Sequence, residues 1–348
     1  MRILVTGSRG FLGTVLQQQA IDGGWAVSGL DLDLYRDSNS ANADSHSLDH
    51  SDGARSDFQE IRAADLAGYD AVVHLAAISS DAACDLRADH ANRLNGAAAV
   101  EFAKLAKKAG VPRFVFASSC SVYGSAPNRV STERSRCAPI STYAHSKLAA
   151  ESGIRAEASS TFSPTVLRFA TLYGLSPNLR SDLVVNTMVA SAQMHGEINL
   201  HGSGQQSRPL LHVRDAASTI LDLLKSSEDE MRGQVFNVTD ESTGYSIAEI
   251  AEVVRRRVPG SRIVHHPAAS DRRHYRVDGT RLHRFCRRPS IRLEDGLAEV
   301  ADGMRNTDWQ RRASAPESNR ARRLLHLLER GELNDDLRWR KRGHGSAT

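Results

Sequence analysis

Cysteine is scarce in this chain: four residues among 348, Cys84, Cys120, Cys137 and Cys286, with no pair at the short spacing of a metal site. A disulfide framework or zinc module is therefore excluded as the organising device, and free thiols in a reducing cytoplasm are the expectation. Long hydrophobic runs are missing too. No stretch approaches the ~18 apolar residues that a spanning helix requires, so no membrane partner is expected. The opening residues MRILVTG lack the basic, long-apolar and cleavage-site order of a secretory leader. Excess charge is absent from most of the sequence. Residues 309–348 hold ten Arg/Lys against five Asp/Glu, so the formal charge of +4 belongs to this basic C-terminal extension and the body is close to neutral. No aromatic residues interleave with the tail's cations in the manner of a nucleic-acid surface, so the tail is expected to be a solvated, partly helical extension without nucleic acid as partner.

What the chain does have is alternation. Apolar runs at Arg2–Thr6, Ala26–Leu30, Ala71–Leu75, Arg113–Ala117 and Thr165–Phe169 alternate with helical-period segments at Phe11–Ile21, Ala88–Ala109 and Thr142–Ala158. This is the pattern of an α/β fold, a Rossmann doubly wound parallel sheet. A third strand is expected somewhere in the polar stretch 35–56. After Tyr173 the texture changes to a loop, short strand-like pieces and helices, which predicts a smaller α/β substrate-binding domain over 171–308. The cofactor domain then spans 1–170, with a return segment at about 209–240, and the tail helix is expected over Ser318–Arg330.

Gly7-Ser8-Arg9-Gly10-Phe11-Leu12-Gly13 places three glycines between a strand and an amphipathic helix. Such a loop turns tightly, admits a pyrophosphate close to the backbone and leaves helix N–H groups to bind it. Asp31, 24 residues after Gly7, ends the second strand where a carboxylate would hold the adenosine ribose hydroxyls and repel a 2′-phosphate. NAD is thus expected over NADP; Asp33 could share the role, and Arg36 is the neighbour that could soften it. Ser118-Ser119-Cys120-Ser121 follows the strand Arg113–Ala117 and lies at the carboxyl edge of the sheet. Tyr143 and Lys147, four apart, share one face of a helix. A phenol ordinarily titrates near pH 10, and a lysine ammonium one turn away, together with the cationic nicotinamide ring, is expected to stabilise its phenolate for proton transfer near neutrality.

In this order and spacing, the glycine loop, His74-Leu75-Ala76-Ala77, the Ser119–Gly124 segment and Tyr143–Lys147 make the chain similar to the extended short-chain dehydrogenase/reductase family. Within it the likeness is to the nucleotide-sugar 4-epimerases and their dehydratase and reductase relatives, and it runs from Met1 to about Arg305. The resemblance implies that Ser119, Tyr143 and Lys147 are the catalytic set. It implies a cofactor site of the glycine loop (Gly7, Arg9, Gly10, Phe11, Leu12, Gly13), Asp31, Asp57 and Phe58 around adenine, and Leu75, Ala76 and Ala77 along the channel. Asn95 matches an asparagine that orders the catalytic helix. Ser79, Cys120, Ser121, Asn186, Arg208, Arg272 and Arg273 would face a nucleoside-diphosphate sugar, with Arg208 gripping the diphosphate. The usual asparagine of the LRxxNxYG segment is Ala170 here. The 4,6-dehydratases of this family carry an Asp-Glu pair directly after the catalytic Ser/Thr, and those places hold Cys120 and Ser121. The expected activity is C4 epimerisation through a transient 4-keto sugar, in a homodimer built on the helices 88–109 and 142–158. A keto-sugar reductase is the alternative, and the intact catalytic set argues against a non-catalytic dinucleotide sensor.

Overall fold

A computed structural model describes residues 1–35, 56–240, 244–267 and 273–340. The segment expected to contain a further strand, the Arg36 position and Arg272 lie outside these residues.

Six strands, β1 (Arg2–Thr6), β2 (Ala26–Leu30), β3 (Ala71–His74), β4 (Arg113–Ser119), β5 (Ser163–Phe169) and β6 (Val235–Val238), form one sheet in the order β2–β1–β3–β4–β5–β6. Every pairing is parallel. Parallel strands need crossovers and are covered on both faces, which is why they read as apolar runs. Side chains alternate accordingly. Leu4, Val72, Phe114 and Phe116 enter the core on one face, with Phe102, Ala103, Ala150 and Ile154. Ile3, Val5, Val73 and Val115 enter the other, with Phe11, Val15, Leu16, Ala217 and Ile220. The covering helices are α1 (Phe11–Asp22), α2 (Ala99–Lys108), α3 (Thr142–Ala156) and, after an intervening helix α4 (Val184–His195), α5 (Val213–Leu224).

The strand order changes direction between β1 and β3, so the crevice beyond their carboxyl ends is the place for a ligand. The glycine loop leaves β1 there, Leu75–Ala77 leaves β3, and Ser119 ends β4. The helix expected over 88–109 is interrupted: α-helical Ala88–Asn92 passes through a π-helical stretch, Arg93–Ala98, before α2. Helical periodicity alone does not register such a widened turn, which local side-chain bonds select.

Beyond β5, α4, α6 (Ile247–Arg257) and α7 (Leu293–Gly303) pack around Val185, Val189, Leu200, Ile250, Val254 and Leu297. Two short parallel pairings join distant segments: Glu197–His201 with Arg262–His266, and Ser125–Ser131 with His274–Val277. A last helix, α8 (Arg320–Glu329), and the turn after it bury Leu324, Leu327, Leu333 and Leu337 in the cofactor-side core. Residues 320–340 are therefore packed where a solvated extension was expected, while α8 falls within the expected helix Ser318–Arg330. Its cations obscured an apolar stripe at 324 and 327 that is one helical face. Among the described residues no helix is long and apolar enough to cross a membrane.

Candidate active site

Ser119 is both the last residue of β4 and the cap of the turn after it, so its hydroxyl position is fixed by the sheet. Its Oγ accepts from the Ser121 backbone N–H at 3.1 Å and from Ser121 Oγ at 2.9 Å. Tyr143 occupies the first turn of α3, which Ser141 caps by accepting from the Ala144 N–H at 3.3 Å. The Tyr143 hydroxyl shares a hydrogen bond with Ser119. One turn on, Lys147 is 2% exposed, its ammonium 4.7 Å from the Phe116 ring centroid and 5.9 Å from that of Tyr143. Burial pushes the lysine down to about 8. Burial also raises Tyr143 above the ordinary phenol range, while Arg180 and the Ser119 hydrogen bond pull it back. The expected lowering counted on the nicotinamide cation as well as on Lys147. In the protein by itself desolvation wins, because the ammonium is itself drawn toward neutrality and sits nearly 6 Å from the ring.

The cofactor cradle is a matter of backbone clearance. Gly7 has φ +69°, and a Cβ there would lie 2.8 Å from the Ala76 nitrogen and 2.9 Å from the Leu75 carbonyl carbon. Only glycine allows β1 and β3 to approach this closely at their ends. Thr6 Oγ1 holds the Leu75–Ala77 segment in place by accepting from the Ala76 N–H at 3.2 Å. Gly10 begins α1 with no side-chain cap, leaving the first-turn N–H groups of Phe11, Leu12 and Gly13 to an anion. Asp31 accepts from the backbone N–H of Arg9 at 2.9 Å and of Asp33 at 2.8 Å, and the Arg9 guanidinium pairs with Asp33. Burial, with Asp33 adding to it, holds the Asp31 carboxyl above its usual range against those two N–H bonds. A clearance that a single Cβ would fill, an uncapped helix end and a carboxylate at the end of β2 together fit a dinucleotide. Asp57 accepts from Gln59 N–H at 2.9 Å and pairs with Arg338 at 2.8 Å, while Phe58 is buried against His74, 4.8 Å between ring centroids.

On the substrate side the arginines are tied to the chain. Arg208 donates to the carbonyl oxygens of Ser207, at 2.8 Å, and of Arg273; the Arg273 guanidinium in turn pairs with Asp81. Asn186, fully buried, accepts from Gly174 N–H at 3.1 Å and donates to the carbonyls of Gly174 and Arg180 at 3.0 and 3.1 Å. Its amide is thus committed to shaping loop 174–180. Cys120 donates its thiol to the Arg168 carbonyl at 3.1 Å, below the site, and Ser121 faces Ser119. Asn95, in the π-helical stretch, brackets Ile78 through its N–H and C=O and donates to Ser146 Oγ at 3.3 Å, joining the segment after β3 to the catalytic helix. Sequence reasoning overlooked Arg180. It pairs with Asp182 through both Nε and Nη2 at 2.9 Å, donates to Ser79 Oγ at 3.2 Å, and carries its charge next to Tyr143. The visible signal was an Arg-x-Asp triplet shortly after the Tyr173-Gly174 turn.

The profile of the NAD dependent epimerase/dehydratase family matches residues 3–239. The chain belongs to that family. It is an NAD-dependent enzyme. A UDP-glucose 4-epimerase of Mycolicibacterium smegmatis (strain ATCC 700084 / mc(2)155) is 29% identical over 326 residues, covering 88% of this chain and 99% of the relative. Among solved structures, MoeE5 in complex with UDP-glucuronic acid and NAD superposes with a TM-score of 0.75 at 28% identity, covering 88% of this chain and 99% of that one. DesIV, a dTDP-glucose 4,6-dehydratase from Streptomyces venezuelae with NAD and TYD bound, gives 0.76 at 26% identity, covering 89% and 98%.

Proposed function

We propose that this enzyme is a 4-epimerase of a nucleoside-diphosphate sugar, with Ser119, Tyr143 and Lys147 as its catalytic set. NAD, when bound, supplies the hydride acceptor and donor. Tyr143 Oη, as phenolate, removes the proton from the sugar 4-hydroxyl as the C4 hydride departs. Ser119 Oγ donates to the oxygen that becomes the keto group, and its own geometry is fixed by β4 and Ser121. Arg180 and Ser119 pull the phenol toward ionisation against burial, with Lys147 one turn along the helix. Were the keto sugar to turn over before it is reduced again, C4 would be inverted, with Tyr143 Oη giving the proton back to the C4 oxygen.

The observation that carries this reading over dehydration lies in the two residues after Ser119. Removing water across C5 and C6 calls for an acid and a base at that place. Here the Cys120 thiol is turned to the Arg168 carbonyl, with its pKa raised by burial, and Ser121 is a neutral hydroxyl. Two nearby carboxylates, Asp81 and Asp182, are each paired with an arginine. The test supplies candidate nucleotide sugars in deuterium oxide without added cofactor. A 4-epimerase yields C4 stereoisomers with no solvent deuterium on carbon. Deuterium at C5 or C6 of a dehydrated product would refute the argument from Cys120 and Ser121, and accumulating NADH would favour net oxidoreduction.

A further inference from the structure

The chain's last described segment, residues 320–340, is clamped along the adenosine side of the cofactor site. Trp339 Nε1 donates to the Leu32 carbonyl at 2.6 Å, Arg323 Nε to the Leu34 carbonyl at 3.1 Å, and Arg338 pairs with Asp57 at 2.8 Å. Leu32 and Leu34 follow Asp31, and Asp57 is itself a partner; the family resemblance gives these two carboxylates to ribose and adenine. In the first turn of α8, Arg320 lies on the same helix face as Leu324 and Leu327 and is 2% exposed. Its guanidinium stacks on the Tyr35 ring, 4.1 Å from the centroid. Both Nη atoms donate to Asn178 Oδ1 at 3.2 Å, and Nη1 also donates to the Glu317 carbonyl at 3.2 Å. Asn178 closes the chain of contacts by donating to the Arg9 carbonyl, inside the glycine loop, at 2.6 Å.

A guanidinium is thus delivered beside the glycine loop by a helix whose contact there, Asn178, is 142 residues away in sequence, and among the described residues no carboxylate is in ion-pair contact with it. Burying a cation without an anion is unfavourable. Burial and the nearby Arg180 charge lower its pKa to about 10, against the pull of Tyr35, Asp182 and Asp31, neither carboxylate being in contact with it. Arrival of an anion relieves that cost, and a planar guanidinium suits phosphate oxygens. We propose that Arg320 is a cofactor-binding residue, supplying the NAD diphosphate with a cation, since the glycine loop's own Arg9 is engaged by Asp33. The C-terminal segment is then the strap that carries this residue into place. The proposal rests on NAD occupying the glycine loop and is independent of which reaction the enzyme performs on its sugar.

The experiment uses full-length protein stripped of nucleotide, with calorimetric titration of NAD, NADP, ADP-ribose and adenosine into wild type, Arg320→Met and Arg320→Lys. Arg320→Met should weaken NAD and ADP-ribose by about 10- to 100-fold, as for loss of a charge-assisted bond, and leave adenosine unchanged. Arg320→Lys should recover part of the loss. The melting point of ligand-free Arg320→Met reads the separate structural cost of losing the Asn178, Glu317 and Tyr35 contacts. Three results would overturn the proposal: unchanged NAD affinity in Arg320→Met, an equal loss for adenosine, or a loss confined to NADP. The second would reduce Arg320 to a support for Tyr35, and the third would move it to a 2′-phosphate. Should Arg320→Met fail to fold, Arg320→Lys and Asn178→Ala serve in its place, and wild-type affinity in both would count against it.

Discussion

At Tyr143, a phenol has to ionise in a pocket that disfavours charge. Ser119 bonds it, Arg180 stands nearby, and Lys147 is buried one turn along with its pKa drawn down to about 8. Removing only the hydroxyl tests this arrangement. Tyr143→Phe should lower turnover by about 10²- to 10⁴-fold, the usual contribution of a positioned proton-transfer group, while NAD affinity stays within about twofold of wild type. Near-normal turnover would mean that proton transfer runs through another group. Ser119, Tyr143, Lys147 and the glycines were legible in the sequence because their geometry is local: a strand end, one helical turn, one tight loop. Arg180 and Arg320 were not. Their partners, Ser79 and Asn178, stand 101 and 142 residues away, and no spacing rule reaches across that separation. Asn186 and Arg208 were visible as polar residues in the right segments, but the pattern could not show that backbone carbonyls engage their side chains.

Among elements, β4, β5 and the catalytic helix α3 are joined by one buried ionic cluster. Glu151 pairs with Arg168 at 2.6 Å, each nearly inaccessible; Ser118 donates to Glu151, and Arg168 donates to Tyr123 Oη at 2.9 Å. Tyr123 continues the chain to Asn237 on β6 at 2.7 Å. This sets the height of α3 against the strand that carries Ser119. Glu151→Ala would leave a buried guanidinium uncompensated, and it should destabilise the protein by about 3–5 kcal/mol, read from the urea midpoint. A loss below about 1 kcal/mol, typical of an exposed pair, would show that water reaches the cluster. Strands β1 to β5 were readable from apolar runs because a parallel sheet buries both faces. The pairing of Ser125–Ser131 with His274–Val277 was not, since short edge pairings draw on polar residues whose partner is fixed by tertiary contact.

For the whole molecule, the net charge was a poor guide to the tail. Residues 320–340 combine cations with buried leucines at 324, 327, 333 and 337, and these leucines dock while arginines pair with Asp57, Glu60 and Glu317. Asp335 and Asp336 return the contact to Arg87 and Arg93, at the start of the helical run that continues into α2. Farther along that run and on α3, Ala97, Lys104, His145, Ala149 and Ser152 remain exposed, and Gly153 leaves no room for a Cβ against Val100. We propose that these two helices make the interface of a homodimer. Sedimentation at micromolar concentration should give twice the 38.0 kDa of the chain, and Ala149→Arg should return it to the monomer mass. A wild-type monomer at that concentration would refute this interface.

Inversion at C4 by return of the same hydride leaves a mark that neither dehydration nor net reduction can imitate. A nucleotide sugar bearing deuterium at C4, turned over by the purified enzyme with no added cofactor, should give the C4 epimer with its deuterium still at C4. Transfer of the label to C6 of a deoxy-keto product, or its loss to exchangeable NADH, would contradict the epimerase reading.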